Sequence, residues 1–274
     1  MGQPHAIGRR PAGDLPSALE SWDEIAGRLK DKRPAMFLDY DGTLTPIVSQ
    51  PEDALLSEEM RDVLEELAGL CTVAIVSGRD RLDVQPLVAL DGLVFAGSHG
   101  FDIAGPGLRM EHEGGKRCLP ELETAERELH ERLDIVPGAR VERKRFAIAN
   151  HYRNVADEDV PIVEDAVRKV LSLHRPLRMS GGKKVFELRP DIDWDKGRAV
   201  LWLLEALKLD DVSVLPFYIG DDVTDEDAFA ALGERGVGVL VGSPPYRTHA
   251  SYGLQDTAEV GRFLQGLLNL LKDG

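Results

Sequence analysis

The sequence predicts an α/β fold in which a mainly parallel β-sheet lies between layers of helices, with a smaller α+β domain inserted. Two observations predict the sheet. Short apolar runs are apolar at every position rather than at alternate ones, which is typical of strands covered on both faces. Helical patterns with apolar residues three and four positions apart separate these runs. A third observation predicts the insertion, because the strands between residues 105 and 189 become half polar.

The helices and strands of the larger domain alternate along the chain. Apolar residues at helical spacing predict helices over residues 15–30, 53–70, 193–207 and 227–232. Apolar runs that lead into polar residues predict strands at 35–40, 72–78, 93–98, 215–222 and 236–242. The polar residues that end these strands are of interest, because ligands bind at the carboxyl edge of an open parallel sheet.

The stretch from residue 105 to residue 189 has a different pattern. It begins with Gly and Pro residues and contains helical patterns at 120–133 and 159–174, with strands at 141–153 and 183–190. The first of these strands is mostly polar before it becomes apolar, which indicates an antiparallel sheet with one solvated face. We therefore predict a flexible tail at residues 1–14, a core formed by 15–104 and 190–274, and an inserted α+β domain at 105–189.

The net charge of the chain excludes two classes of binding partner. The chain has 274 residues and a net charge of −15, which repels nucleic-acid backbones and anionic membranes, so we expect neither as a partner. An anionic substrate therefore needs local cations to hold it. No apolar segment is long enough to span a bilayer, no secretory signal is recognisable, and the two cysteines form no CxxC motif. We expect a cytoplasmic protein, and the sequence leaves its oligomeric state open, a monomer included.

Asp39 and Asp41 directly follow the first apolar run. Two carboxylates at i and i+2 of an extended segment project to the same side, so they repel unless one is protonated or a cation lies between them. Mg²⁺ prefers such carboxylate oxygens together with water and phosphate. Gly42 lets the backbone turn sharply towards a bound group. The competing interpretation is a solvated Asp-Gly turn.

Ser77, Gly78 and Arg79 follow the second strand. A hydroxyl, an unhindered backbone amide and a guanidinium at a strand end can form a cradle for phosphoryl oxygens. The alternative is a strand-to-helix turn in which Ser77 is the helix N-cap.

Lys196 and a run of acids complete the candidate residues. Lys196 opens a predicted helix, where a cation opposes the helix dipole, and this indicates a nearby anion. A snorkelling surface lysine is the alternative. Residues 221–227 contain five acids after an apolar strand. Asp221 is closest to the strand and is predicted to face the first acid pair, whereas Asp225 to Asp227 suit a cap of the next helix.

Seven short segments share their order with a known family. They are DYDGTL, VSGR, GSHG, HYR, ELRP, DKG and GDDVTDED. In wording and order they resemble the haloacid dehalogenase superfamily of phosphohydrolases, and in particular the trehalose-6-phosphate phosphatases. The resemblance covers nearly the whole chain after the tail. It implies a Rossmann-like three-layer core with a mainly parallel sheet, and an inserted α+β cap domain that closes on the sugar.

The resemblance also implies a reaction, the Mg²⁺-dependent hydrolysis of trehalose 6-phosphate to trehalose and phosphate. Asp39 is then the nucleophile that forms an aspartyl-phosphate, and Asp41 is the general acid and base. Mg²⁺ is held by Asp39, by the main-chain carbonyl of Asp41 and by Asp221. Ser77 and Lys196 bind the phosphoryl oxygens. Either Asp222 or Asp225 supports the metal through its water ligands.

In the cap domain, the resemblance implies that the sugar hydroxyls are bound by four polar residues, Glu142, Lys144, Arg153 and Glu187. A disaccharide has many hydroxyls and little apolar surface, so charged hydrogen-bonding groups can select it. The alternative for Glu142 and Lys144 is a solvated ion pair on one strand. His99 either contacts the substrate or packs the end of a strand, and His151 and Tyr152 fit the core of the cap equally well.

Two other functions remain open at this point. The core motifs contact only the phosphate group of a substrate. A phosphatase for another sugar phosphate, of the sucrose or glucosylglycerol type, is therefore the first alternative. A non-catalytic subunit that senses a sugar phosphate is the second. A calcium module on the acidic run is excluded, because the run lacks the spacing of an EF-hand loop. We expect a stand-alone phosphatase, because the sequence has no region of glycosyltransferase size.

Overall fold

The chain forms two compact units in the computed structural model, which describes residues 9–48, 50–182 and 184–273. The first unit runs to Arg109 and resumes at Trp194, and the second spans Met110–Asp193. The sequence places the corresponding boundaries at residues 105 and 189. The first unit runs on to Arg109 because a strand at 102–105 and the first residues of a strand at 108–111 continue its sheet, whereas on the other side it resumes only at Trp194.

An eight-stranded sheet forms the centre of the first unit. In spatial order its strands are β14 (Tyr252–Leu254), β12 (Val237–Val241), β11 (Val214–Gly220), β2 (Arg33–Leu38), β3 (Thr72–Val76), β4 (Val94–Gly97), β5 (Asp102–Gly105) and β6 (Leu108–Glu111). Neighbouring strands from β14 to β4 pair in parallel, and β5 pairs antiparallel to β4. The predicted mainly parallel sheet is confirmed.

Both faces of this sheet are buried. All residues of β11 are buried, and the adjacent residues Phe217 and Tyr218 point to opposite faces. Phe217 contacts Phe263 of helix α9 (Thr257–Asp273), whereas Tyr218 contacts Phe229 of helix α8 (Glu226–Leu232). The sheet therefore lies between two layers of helices, which confirms the three-layer core and explains why its strands are apolar at every position.

Four further helices belong to the first unit, namely α1 (Trp22–Leu29), α2 (Glu58–Leu70), α3 (Arg81–Val88) and α7 (Lys196–Ala206). Helix α2 shows why the predicted spacing gives a helix, since Met60, Val63, Leu64 and Leu67 form its buried side. Ser57 caps this helix, and its hydroxyl accepts a hydrogen bond from the N–H of Met60. Within the described ranges, none of the helices combines the length and the apolar character that crossing a bilayer requires.

Residues 10–14 fall in the predicted tail, but they have regular structure. Strand β1 (Arg10–Pro11) pairs antiparallel with β13 (Arg247–Thr248), and a 3₁₀ turn at Ala12–Asp14 follows. The N–H of Ala12 donates to the carbonyl of Tyr246, and the Ala12 side chain is buried. This backbone pairing holds the segment, and composition does not reveal it. Residues 1–8 of the predicted tail lie outside the described residues.

The second unit has a four-stranded antiparallel sheet with two long helices against one face. Its strands in spatial order are β7 (Arg140–Lys144), β8 (Ala147–His151), β10 (Val185–Pro190) and β9 (Leu177–Gly182), and its helices are α4 (Glu113–Arg117), α5 (Leu119–Leu133) and α6 (Val160–Leu173). Ile148 and Leu188 join apolar residues of α5 and α6 in a buried cluster. The alternate residues of the strands therefore form the opposite, polar face.

Candidate active site

The predicted site residues of the first unit meet at one edge of the parallel sheet. Asp39 directly follows β2, Ser77 follows β3 and Asp221 follows β11. These strands are neighbours in the order β11, β2, β3 and run in the same direction. Their carboxyl ends therefore lie side by side, where open α/β sheets bind ligands.

Lys196, the first residue of α7, is buried between two carboxylates. Its Nζ donates to Oδ1 of Asp39 and to Oδ1 of Asp225, each at 2.7 Å. Lys196 is only 3% exposed, so the interpretation as a surface lysine is wrong. Burial lowers the pKa of Lys196, but the charges and hydrogen bonds of the two aspartates raise it above its ordinary value. The site therefore contains a fixed ammonium group.

Three carboxylates face this one ammonium. Oxygen atoms of Asp39, Asp221 and Asp225 lie within 4.8 Å of one another. Burial raises the pKa of Asp39 well above its ordinary value, Lys196 lowers it, and the charges of Asp225 and Asp221 raise it further. A divalent cation relieves such repulsion, and carboxylate oxygens are ligands that Mg²⁺ prefers. The residues present therefore fit a magnesium site.

Asp225 connects the parts of the site, although the sequence favours a helix cap for it. Its Oδ1 accepts hydrogen bonds from Lys196 and from the hydroxyl of Tyr218, at 2.7 and 2.6 Å. Its Oδ2 accepts from the backbone N–H groups of Asp221 and Asp222, at 3.0 and 2.9 Å. The bond from Asp222 belongs to a capping box of the 3₁₀ turn Val223–Asp225, whose N-cap is Asp222. The Asp225 side chain makes no capping hydrogen bond to α8, so the prediction that it caps this helix is wrong. No sequence pattern singles out Tyr218, because a tyrosine in a buried strand is explained by packing alone.

Gly42 allows Asp221 to approach the first acid pair. The residue has φ +84°, and a Cβ built on it would lie 2.2 Å from Oδ2 of Asp221. The N–H of Gly42 donates to the carbonyl of Thr45 at 2.7 Å and closes the turn. Because the turn packs against Asp221 and Asp39 is buried, the interpretation as a solvated Asp-Gly turn is wrong.

Arg79 binds Asp41 in the structure. Its Nε and Nη2 donate to the two carboxylate oxygens of Asp41, each at 2.6 Å. Its Nη1 donates to the carbonyl of Pro51, and the guanidinium lies over the ring of Tyr40. This bidentate pair fixes both side chains. The part of Arg79 in holding phosphate stays a prediction, as does the metal contact through the main-chain carbonyl of Asp41.

The turn that carries Ser77 and Gly78 is bound to the turn that carries His99. The Oγ of Ser77 accepts from the N–H of Arg79 at 3.0 Å, whereas α3 has Asp80 as its N-cap, so Ser77 is not the helix cap. The N–H of His99 donates to the carbonyl of Ser77 at 2.9 Å. A Cβ on Gly78 would lie 2.8 Å from Cε1 of His99. The His99 ring therefore packs on this turn, and its contact with substrate stays a prediction.

Three of the four predicted sugar-binding residues share the polar face of the second unit. Glu142 of β7 and Glu187 of β10 both pair with Ala149 of β8, so their side chains point to the same face. Lys144 donates to Oε1 of Glu187 at 3.0 Å. Glu142 lies 2.9 Å from Nε2 of His151, and this contact lowers the pKa of Glu142. Glu142 and Lys144 therefore each contact a side chain of another strand rather than forming one isolated pair with each other, and Glu142 also pairs with Arg140 of its own strand at 3.3 Å.

The last residue of β8 and the residues that follow it have different surroundings. Tyr152 stacks on Phe186, with ring centroids 4.6 Å apart, and belongs to the core of the unit. His151 lies on the polar face beside Glu142. Arg153, the fourth predicted sugar-binding residue, is exposed in the loop that follows the strand.

The chain is similar to known proteins over the segment that contains all of the predicted site residues. A family model described as trehalose-phosphatase matches residues 37–259. The chain belongs to the trehalose-phosphatase family. Every predicted site residue, from Asp39 to Asp221, lies within the matched segment. A relative named probable trehalose-phosphate phosphatase D, from Arabidopsis thaliana, is 45% identical over 265 residues, which are 92% of this chain and 72% of that protein.

Solved structures support the same family and fold. A trehalose-6-phosphate phosphatase related protein has a TM-score of 0.76 at 25% identity, with 86% of this chain and 97% of that chain covered. A haloacid dehalogenase-like hydrolase from Bacteroides thetaiotaomicron has a TM-score of 0.60 at 16% identity, with 88% and 99% covered. The second likeness concerns the fold alone. This member of the trehalose-phosphatase family therefore has the haloacid dehalogenase fold.

Proposed function

We propose that this chain hydrolyses trehalose 6-phosphate to trehalose and inorganic phosphate with Mg²⁺, as a step of trehalose biosynthesis. The observation that carries the proposal is the buried lysine between Asp39 and Asp225 at the carboxyl edge of the sheet, in a chain of the trehalose-phosphatase family. The name of the Arabidopsis relative supplies the substrate.

Asp39 acts as the nucleophile. A carboxylate oxygen attacks phosphorus and the sugar oxygen leaves, after which water attacks the phosphorus of the aspartyl-phosphate and releases phosphate. The ionised carboxylate is the reactive form, and the ammonium of Lys196 at 2.7 Å favours it. Lys196 also binds a phosphoryl oxygen, together with the hydroxyl of Ser77, the backbone at Gly78 and the guanidinium of Arg79.

Asp41 moves the protons of both steps. As an acid it protonates the departing sugar oxygen, and as a base it accepts a proton from the attacking water. Its two carboxylate oxygens accept hydrogen bonds from Arg79. We propose that the contact with Arg79 keeps the Asp41 carboxylate in its orientation between turnovers.

Bound Mg²⁺ neutralises charge on the phosphoryl group and holds it for in-line attack. We assign Asp39, Asp221 and the main-chain carbonyl of Asp41 as its ligands. Asp225 already accepts hydrogen bonds from a lysine, a tyrosine and two backbone N–H groups. We therefore assign Asp225 to holding Lys196 and the Asp221 loop, rather than to direct contact with the metal.

The polar face of the second unit recognises the sugar. Glu142, Lys144 and Glu187 offer charged donors and acceptors from the two strands that flank β8, on either side of the small side chain of Ala149. Such groups bind a disaccharide through its hydroxyls and reject analogues that lack them. We assign Arg153 and His99 to further contacts with the substrate.

A phosphate-release assay over a panel of sugar phosphates tests the proposal. We expect turnover of trehalose 6-phosphate in Mg²⁺ and none in EDTA. Faster turnover of a sucrose phosphate or a glucosylglycerol phosphate would change the substrate. Full activity in a buffer that contains EDTA would contradict the proposed dependence on Mg²⁺. A chain that hydrolyses no member of the panel would favour the non-catalytic sensing subunit.

Glu187→Ala tests the sugar-binding face. We expect kcat/KM for trehalose 6-phosphate to fall about ten- to a hundredfold, because a charged hydrogen-bonding group is lost, while hydrolysis of a small aryl phosphate stays within about twofold. Glu164→Ala is the matched control, since Glu164 forms an exposed ion pair with Arg168 on α6. Equal losses on both substrates would count against sugar recognition by Glu187.

A further inference from the structure

Tyr218 places its hydroxyl against the lysine–aspartate pair. The residue lies in β11, is entirely buried, and contacts Phe229 edge-on. Its hydroxyl donates to Oδ1 of Asp225 at 2.6 Å, and this same oxygen accepts from Lys196 at 2.7 Å. None of the proposed steps of hydrolysis uses this hydroxyl directly.

The hydroxyl acts on a carboxylate that is anchored at its other end. Oδ2 of Asp225 accepts two backbone N–H groups of the loop at 221–222, which fixes that oxygen. At Oδ1 the ammonium of Lys196 is shared with Asp39. An ammonium shared by two carboxylates moves towards the one that has fewer other donors, because that oxygen carries more uncompensated charge. The Tyr218 hydroxyl supplies such a donor to Asp225.

Tyr218 stays protonated in this position. Burial raises its pKa well above the ordinary value, and the charges of Asp225 and Asp39 raise it further. The hydroxyl is therefore a hydrogen-bond donor to Asp225 throughout the pH range of an assay.

We propose that Tyr218 is a positioning residue. Its hydroxyl donates a hydrogen bond to Asp225, which weakens the attraction of Asp225 for the Lys196 ammonium and so keeps this ammonium against Asp39. The inference rests on the proposed function, because it uses the contact between lysine and nucleophile. Without the hydroxyl, Lys196 shifts towards Asp225 and away from Asp39. The nucleophile then loses the hydrogen bond that orients its carboxylate, so kcat falls. The groups that bind the sugar are unchanged and Lys196 supplies only one of several phosphoryl contacts, so KM changes much less than kcat.

The test compares Tyr218→Phe with Tyr252→Phe. Phenylalanine keeps the ring that packs on Phe229 and removes only the hydroxyl. Tyr252 is the matched control, because it is also a buried strand residue whose hydroxyl donates to a carboxylate, Oε1 of Glu24 at 2.8 Å. We expect Tyr218→Phe to lower kcat for trehalose 6-phosphate about tenfold or more with KM within about threefold, and Tyr252→Phe to match the wild type.

A second measurement does not depend on turnover. Crystal structures of the metal-free wild type and of both variants give the distance from Nζ of Lys196 to Oδ1 of Asp39. We expect this distance to increase from 2.7 Å in Tyr218→Phe and to be unchanged in Tyr252→Phe. The melting temperatures of the two variants measure how much folding stability is lost when the buried hydrogen bond is removed at either position.

The outcomes separate the inference from the proposed function. A wild-type kcat in Tyr218→Phe, or an equal loss of kcat in Tyr252→Phe, overturns the positioning role. A wild-type chain without phosphatase activity overturns the proposed function instead. In that case the crystal structures decide, and an unmoved Lys196 in Tyr218→Phe overturns the inference.

Discussion

Asp39→Asn is expected to lower kcat for phosphate release at least about 10⁴-fold while the fold stays intact, because an amide does not attack phosphorus. The asparagine still offers an oxygen to Lys196, which now donates to Oδ1 of Asp39 at 2.7 Å. The packing at the end of β2 is therefore maintained. Steady-state phosphate release measures the first effect, and circular dichroism measures the second.

The same replacement is expected to leave the melting temperature of the metal-free chain unchanged or to raise it. Burial raises the pKa of Asp39 well above its ordinary value of 3.8. A carboxyl group whose pKa rises on folding lowers the stability as the pH increases from 3.8 to the raised value, and the full loss applies above it. Asparagine is uncharged over this range, so the loss disappears. Mg²⁺ is expected to stabilise the wild type more than the variant, since it binds the wild type more tightly.

Asp211→Asn is the control for both measurements. Asp211 is exposed in the loop before β11, and its Oδ1 accepts the N–H of Ser213 at 2.7 Å. The control should keep wild-type activity and the wild-type response to Mg²⁺. Substantial turnover by Asp39→Asn would contradict its part as nucleophile. A large drop in the melting temperature of Asp39→Asn in EDTA would contradict the destabilising effect of burying the Asp39 carboxylate.

The mainly parallel direction of the core strands could be predicted from the sequence, because strands that are buried on both faces are apolar at every position. β11 is apolar from Val214 to Ile219, and only strands between two helical layers need such a run. Residues 10–14 were predicted to be loose because they are rich in Gly, Pro and Arg. Their order comes from pairing with Arg247–Thr248, a contact between segments far apart in the sequence that no local pattern predicts.

The candidate site was predictable where its residues end strands. Asp39, Ser77 and Asp221 follow three strands, and the rule for parallel sheets places them together. Asp225 and Tyr218 were not predictable in this way. An acid in the first turn of a helix is explained by capping, and a tyrosine within a buried strand is explained by packing. Their hydrogen bond joins two residues on either side of a turn, and only the folded turn shows it.

Arg79 and Lys144 show a second limit of sequence patterns. Spacing predicts which face of a strand or turn carries a charged group, but the partner depends on the neighbouring strand. Arg79 binds Asp41 from the adjacent strand end, and Lys144 binds Glu187 from β10. The order of the strands decides the first pair, since β3 lies next to β2, and the register of the sheet decides the second, since Lys144 and Glu187 meet across the intervening strand β8. That register follows from the packing of the whole unit rather than from the local sequence.

Gly42→Ala is expected to lower kcat at least about a hundredfold, and to raise the Mg²⁺ concentration needed for half-maximal activity, because a displaced ligand misplaces the reacting groups. A Cβ at Gly42 would lie 2.2 Å from Oδ2 of Asp221, so the carboxylate must move. The residue also has φ +84°, which disfavours alanine whatever its surroundings. Titration of activity with Mg²⁺ measures the effect on the metal site.

Gly92→Ala separates these two causes. Gly92 has φ +85°, and among the described residues nothing lies within 4 Å of a Cβ built there. Both alanine variants should therefore lose about 1–2 kcal/mol of stability from the backbone alone. Only Gly42→Ala should lose activity and response to Mg²⁺, because only its methyl group meets a proposed metal ligand. If both variants keep full activity, Asp221 tolerates displacement and its assignment to the metal is wrong. If both lose activity equally, backbone strain rather than the contact with Asp221 is responsible.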